Sequence, residues 1–432
     1  MRELMSNNGD NGRNVQPTFT LLPDISSTDP VSGFEIPPDK GLAVNAGYIV
    51  SDVNSVVKWT DITGANPVED SMSTFFSPLG TYSFFIDARA IYNDATGQFI
   101  LSSSAPDAAS NYHVLLGISN DSNPYDGFTF QSFQYTDTTA LIDQPDVAAD
   151  GSTLFMVASV GAEQLVLVNN NDGQGGATKQ VDISGGGIYK QIASQDTGDY
   201  ALAQESGTLT LKHLNTAGVV DGTSSVDLGN ISSNYGEQYL PTQGETQPLD
   251  AADQRVYGLA LSNGTLWTTF EVTPTSGPDA GTPNVHWAEL NVSNLSDIAL
   301  IDQGTISGFV IGASVGTETG SVAVDGAGDV IMSFVASGPD MTPTDYFEVK
   351  AAGESVFSAP IAWDSSAGPY FQPDAGVFGS QVASRWGDYS SAVADPNNPR
   401  GFYISNEVGI TPGSWEYSSP VAHVIVPPSY TV

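Results

Sequence analysis

Arg385-Trp386-Gly387-Asp388-Tyr389-Ser390 runs directly into Ser391-Ala392-Val393-Ala394, and Asp395-Pro396-Asn397-Asn398 then leads through Pro399 and Arg400 to Gly401-Phe402-Tyr403-Ile404-Ser405-Asn406-Glu407. The first six residues spell a tight polar turn and Ser391–Ala394 a short strand. Asp-Pro-Asn-Asn reverses the chain, because proline presets φ and Asx side chains bond their own backbone. The second strand is Gly401–Ser405. This is a β-hairpin with a polar cluster at its leading end.

The same grammar recurs along the chain. Runs of four to seven β-branched and aromatic residues are bounded by Asn, Asp, Gly and Pro, with a loose period of about 45–60 residues, the spacing of propeller blades. Units are read at 41–62, 84–133, 144–169, 188–214, 240–290, 321–349 and 385–426. No long window carries an apolar i, i+3, i+4, i+7 stripe without a Gly or Pro break, so helices are not expected to organise the fold. The expected architecture is all-β: a single propeller of seven blades, with six or eight allowed. Strands from both termini are expected to share the closing blade, 421–426 pairing with residues around 41–50, because ring closure shortens and protects sheet edges. Residues 1–35 read as a polar, acidic leader or edge segment, and 36–432 as the propeller.

Composition sets the surroundings. Forty-nine Asp and Glu face only 12 Lys and Arg, a formal charge of −37 spread along the whole chain. Such a surface repels nucleic acid and anionic lipid, so neither is an expected partner. There is no cysteine, which removes disulfides, thiolate metal sites and a cysteine nucleophile. No apolar run approaches membrane-spanning length, so membrane insertion is not expected. The N-terminal 31 residues lack the apolar core of a signal peptide. An extracellular or cell-surface protein, bacterial and exported without a cleavable N-terminal signal, fits this profile; a halophilic cytoplasm would produce a similar composition.

The segments Phe-Phe-Ile-Asp-Ala-Arg-Ala-Ile-Tyr-Asn-Asp-Ala-Thr-Gly-Gln-Phe (84–99), Gly264-Thr265-Leu266-Trp267-Thr268, His286-Trp287-Ala288-Glu289-Leu290 and Arg385-Trp386-Gly387-Asp388-Tyr389-Ser390 occur in this order. Over about residues 40–426 the chain resembles a family of secreted bacterial β-propellers, mostly uncharacterised and loosely described as sialidase-like. The resemblance implies the fold more strongly than any activity, since one propeller scaffold hosts many functions. The Ser-x-Asp-x-Gly-x-x-Trp turn of true sialidase blades is absent.

Three of the six arginines, Arg89, Arg255 and Arg385, each follow a short polar turn and are read at the start of inner strands. In the sialidase-like reading their guanidinium groups would converge in the central channel on a carboxylate, which bidentate geometry suits. The opposing expectation pairs each with a neighbouring acid: Arg89 with Asp87 or Asp94, Arg255 with Asp253, Arg385 with Asp388. Trp386, Asp388 and Tyr389 make either a sugar platform or an inter-blade plug. Tyr389 and Glu407 would be the nucleophile and its partner in a sialidase-like reaction.

For metals, Asn169, Asn171 and Asp172 head a Gly-rich Asx loop without a closing Glu, and Asp325 and Asp329 bracket a shorter turn. Ca²⁺ is the cofactor these imply, with plain hairpin turns as the alternative. The four histidines, His113, His213, His286 and His423, show no metal-ligand spacing; His113 or His286 beside a Tyr would give a lyase pair. No nucleophile elbow, phosphate loop or dinucleotide fingerprint is present. The expected function is binding of a glycan or other extracellular polymer at the channel face, with catalytic residues unassigned. The alternatives are a non-enzymatic adhesion or assembly module, and a polysaccharide lyase or glycosidase acting on acidic sugars.

Overall fold

A computed structural model describes residues 17–26, 37–137, 139–170, 178–185, 187–194, 198–229, 231, 239–245, 247–251, 253–371 and 383–428. The chain is a β-propeller. Among the described residues, six sheets have four antiparallel strands in sequence order, spanning 41–71, 86–133, 142–182, 189–227, 256–305 and 316–365. A further sheet runs Ser391–Ala394, Gly401–Ser405, Tyr417–Ile425 and Thr18–Ser26, with Val408–Gly409 attached to Tyr417–Ile425. The first strands of these sheets (Gly41–Val44, Ile86–Asn93, Ile142–Asp150, Tyr189–Ser194, Val256–Ser262, Gly316–Val324 and Ser391–Ala394) touch one another in cyclic order around a common axis.

The hairpin read from the sequence is present, with Ser391 opposite Ser405 and Ala394 opposite Phe402. Both termini share one sheet, but the partner differs from the expected one. Val421 pairs with Leu22 and Ile425 with Thr18, so Thr18–Ser26, inside the stretch read as leader, supplies the outer strand. Gly41–Val44 instead begins a sheet of its own, pairing with Tyr48–Val53. The mistake has a physical cause. Alternation and apolar content are similar in both segments, and the pairing is settled by where the ring brings the ends.

The middle strands Thr153–Val160, Thr265–Val272 and Val330–Gly338 are buried on nearly every residue, as blades stacked face to face require, whereas the outer strands Thr178–Asp182, Val220–Asp227 and Ala299–Thr305 are largely exposed or half-buried. Between the first two sheets lie Trp59, Phe75, Phe76, Phe85 and Phe99; between the last two, Ile331, Phe347, Trp363, Phe402 and Val424. Among the described residues, helix is limited to one turn at Met72–Phe75 and three short 3₁₀ segments. No helix among the described residues is long and apolar enough to cross a membrane.

One small sheet stands outside the ring pattern. Tyr239–Leu240 and Leu249–Asp250 pair antiparallel, and Ser384–Arg385 joins them in parallel with Asp250 opposite Arg385. Leu240 and Leu249 pack with Val335, Tyr370 and Trp386 into one buried cluster.

Candidate functional site

The site is built by a device repeated at the leading ends of the inner strands. Register breaks between Ile86 and Arg89, between Asp143 and Asp146, and between Glu318 and Ser321 mark β-bulges. Each holds a non-glycine residue in the left-handed region: Asp87 at φ 49°, Gln144 at φ 54° and Thr319 at φ 50°. A bulge re-aims side chains and bends its strand, and left-handed backbone at a non-glycine residue persists only where its surroundings hold it.

What holds it here is carboxylate-to-amide bonding between neighbouring blades. Asp87 Oδ2 accepts the Gln144 N–H at 2.6 Å, and Glu271 Oε1 accepts the Thr319 N–H at 2.8 Å. Asp39 Oδ1 accepts the Asp388 N–H at 2.8 Å, Glu407 Oε2 the Gly387 N–H at 2.7 Å, and Asn54 Oδ1 the Ala88 N–H at 3.0 Å. Ser390 Oγ donates to the Thr319 carbonyl, and Ser391 Oγ to that of Lys40 at 2.9 Å.

Tyr389 occupies the middle of this cluster. The Arg89 guanidinium lies 3.5 Å above its ring centroid, Lys190 Nζ is 5.7 Å from the same centroid, and Arg255 Nη1 reaches its hydroxyl at 3.4 Å. Arg255 is held by Asp253 through Nε–Oδ1 at 2.8 Å and Nη2–Oδ2 at 3.0 Å. With its amide oriented to satisfy both ends, Gln144 Oε1 accepts from Arg255 Nη1 at 2.7 Å. Asp146 sits 3.8 Å from Arg89 Nε and 3.5 Å from Lys190 Nζ. Arg89, Gln144, Asp146, Lys190, Arg255 and Tyr389 line one narrow opening, large enough for a single water-sized group.

Charge is crowded here, and burial governs it. Burial pushes the Asp39 carboxyl well above its ordinary value, reinforced by Asp388 and Asp87, and it raises Asp388 as well. Carboxylate oxygens of Asp39, Asp87 and Asp388 lie within 4.8 Å of one another. Burial lowers Lys190 to about 8, with Asp146 opposing the drop and Arg89 adding to it.

The expected site residues divide. Arg89, Arg255 and Tyr389 come together. Arg385 does not join them; its Nη1 bonds Asp250 at 3.0 Å and its Nη2 both oxygens of Asp388 at 3.1 Å. The three-arginine clamp is therefore not formed. Arg255 and Arg385 take the acids expected of a structural pairing, whereas Arg89 faces Asp146 rather than Asp87 or Asp94.

Trp386 is 1% exposed, its ring edge-on to Tyr370 at 4.7 Å, so protein covers the face a sugar would stack on. The Tyr389 hydroxyl meets Arg255, while Glu407 is engaged by Gly387, so the structure gives this pair separate partners. Of the residues read as calcium ligands, Asn169 lies at the end of a strand of the sheet spanning 142–182, and the 325–329 turn belongs to the sheet spanning 316–365. Asn169 donates to Thr178 Oγ1; Asp325 Oδ1 accepts the amides of Ala327 and Asp329; and Asp329 takes Arg400 on both oxygens. Asn171 and Asp172 lie outside the described residues.

Sequence reasoning missed Asp39, Gln144, Asp146 and Lys190, and placed Asp87 only as a partner for Arg89. The available signal was an acidic or amide residue at or just ahead of successive inner strands, as in Ile86-Asp87 and Ile142-Asp143-Gln144.

No family model and no curated protein matches the sequence. Solved structures of similar shape include the WD40 domain of Pan2 from Neurospora crassa, with 9% identity and TM-score 0.46, covering 96% of this chain and 97% of that one. A functionally unknown protein from Desulfotomaculum acetoxidans has 9% identity and TM-score 0.44, covering 85% and 89%. The α-L-arabinofuranosidase Arb93A from Fusarium graminearum has 14% identity and TM-score 0.40, covering 78% and 92%. Likeness this distant bears on neither activity nor ligand. The β-propeller part of the sequence resemblance stands; its secreted, sialidase-like part has no sequence-level support.

Proposed function

We propose that this protein is an extracellular propeller that binds a carboxylate-bearing glycan or polymer, and that the acidic group enters the opening above Tyr389. The observation that carries this is the gathering of Arg89, Arg255 and Lys190 on one tyrosine in a chain of formal charge −37. A locally cationic mouth on an acidic body selects for an anion that also forms polar contacts, since bulk electrostatics alone would repel it. The opening is water-sized, so a single carboxylate oxygen enters it and the rest of the ligand lies across the face of the propeller. Extracellular location is part of the proposal and is supported by the composition.

The test is calorimetric titration with hexuronic acid oligomers and N-acetylneuraminic acid beside their neutral counterparts. Acidic sugars should bind and neutral ones should not, with Arg255→Gln and Lys190→Met each weakening binding at least about tenfold, the loss of a charged hydrogen bond. Binding requires the charged amine, so affinity should fall as pH rises through about 8, where Lys190 loses its proton. Affinity constant from pH 7 to pH 9 would remove Lys190 from the site.

A second reading is favoured by the acid facing each cation: Asp253 on Arg255, Asp146 on Arg89 and Lys190, Asp250 and Asp388 on Arg385. In it the cluster only locks blades together, and the molecule is a non-enzymatic surface or assembly module. Absence of binding to every acidic sugar would favour that reading.

A further inference from the structure

A separate constellation lies on the sheet spanning 86–133, away from the axial cluster. His113 leads the strand Tyr112–Ser119, and Ser132 lies exposed on the outermost strand, Phe128–Phe133. Ser132 Oγ is 2.7 Å from His113 Nδ1, and His113 Nε2 is 3.4 Å from Asp107 Oδ2. Asp107 is fixed in its turn by amide donors, Ala109 N–H at 2.8 Å and Asn111 N–H at 2.9 Å, both on Oδ1. The Tyr82 hydroxyl donates to Ser132 Oγ at 3.4 Å, and its ring packs edge-on to His113 at 5.5 Å.

We propose that Ser132, His113 and Asp107 form a nucleophilic site that hydrolyses uncharged carboxylic esters. The chemistry follows from the hydrogen bonds. An ionised carboxylate only accepts, so Asp107 calls for the proton on Nε2; Gln134 Nε2, a donor 3.1 Å from the same nitrogen, competes with it, and the catalytic tautomer requires the Gln134 amide to turn so that its oxygen faces the ring. Nδ1 is then the basic nitrogen and points at the serine hydroxyl. This is the nucleophile–base–orienter order, with the two ring nitrogens exchanged relative to the usual arrangement. Contacts of this kind are commonly long in the free protein and tighten around substrate.

The steps balance without a co-reactant other than water. Ser132 Oγ attacks the ester carbon while its proton passes to Nδ1. The tetrahedral adduct, with the Tyr82 hydroxyl beside it as a donor, expels the alcohol, which takes that proton. Water then attacks the acyl-serine, giving one proton to Nδ1 and, through it, restoring the serine; acid and alcohol are released. Phe84, 42% exposed, lies 6.4 Å ring to ring from Tyr112, the neighbour of His113, and offers an apolar surface to one half of the ester. The strongly acidic surroundings disfavour an anionic ester. None of this depends on the axial site binding anything.

The experiment uses the whole chain, a fluorophosphonate reagent and short p-nitrophenyl esters. The phosphonyl group should map to Ser132 by mass spectrometry, and Ser132→Ala should lose both labelling and ester turnover with unchanged melting, because Ser132 is exposed. His113→Gln should lower kcat/KM by about 100-fold or more, the range for a lost general base. Asp107→Asn, a positioning change, should lower kcat with little effect on KM. Should Ser132→Ala fold poorly, Ser132→Cys keeps the shape and should show an acyl-enzyme burst. Labelling elsewhere, or turnover indifferent to Ser132→Ala, overturns the proposal.

Discussion

Thr319 is a β-branched residue at φ 50°, a conformation such residues rarely take. Its amide proton reaches Glu271 from that position, and its carbonyl accepts from Ser390. Two inter-blade bonds therefore hold one strained residue, the relation expected when a bulge is part of the design rather than a defect. Trp386 illustrates the opposite economy, since it gains stability by burial alone. Trp386→Ala should lower stability by about 3–5 kcal/mol, the cost of emptying a large aromatic site. Denaturant unfolding measures this, and an effect below about 1 kcal/mol would restore the residue to a ligand-facing role.

At the scale of elements, turns do more than reverse the chain. The turn at 325–329 touches the turn at 395–400: the Ala327 N–H donates to the Pro399 carbonyl at 2.8 Å, and Arg400 Nη1 lies 2.9 Å from Asp329 Oδ2. Asp329 is fully buried. Arg400→Ala should therefore cost about 3 kcal/mol, because it leaves a buried carboxylate without its cation, held by the Ala352 N–H at 2.7 Å, and Asp329→Asn in the same chain should recover part of the loss. Additive losses in that cycle would contradict the pairing.

The closing sheet makes a second element-level prediction. Deleting residues 1–26 bares the edge of Tyr417–Ile425 and should give a folded protein with lower melting temperature and a tendency to self-associate. Deleting 417–432 removes a strand bonded on both sides and should give aggregate; size-exclusion chromatography separates the two outcomes. A cooperative, monomeric 1–416 chain would show that closure contributes little.

Across the whole molecule the dominant electrostatic feature is buried acid. Burial pushes Glu348 and Glu407 up to about 8 and Asp52 to about 7, and lifts Asp39, Glu271, Glu318 and Asp345 well above the ordinary range. Their folded values exceed their unfolded ones, so the native state holds more protons between the ordinary carboxylate range and about pH 8. Stability must then fall as pH rises through that window. Asp61, Asp107 and Asp137 behave oppositely: hydrogen bonds lower them, and their contribution is lost only in acid. The melting temperature should peak near about pH 5 and decline toward pH 8, as differential scanning calorimetry would read. A maximum at or above pH 7 would mean these carboxyls are hydrated in solution.

What the sequence by itself determined is the local part: strand against turn, the hairpin at 391–405, the repetition of a blade-sized unit, and the exclusion of disulfides. Period-two alternation and Asx, Gly and Pro turn chemistry act between residues a few positions apart, so they are legible one segment at a time. The Arg255–Asp253 and Arg385–Asp388 pairs were legible for the same reason, their partners being two and three positions away. Only the tertiary structure decided that Thr18–Ser26 closes the ring, that Arg89 lies on Tyr389, and that Arg385 leans on Asp250. Those partners are remote in the chain and are selected by where ring geometry delivers them. Burial, which lowers Lys190 and raises Asp39 and Asp388, likewise exists only once the blades have packed.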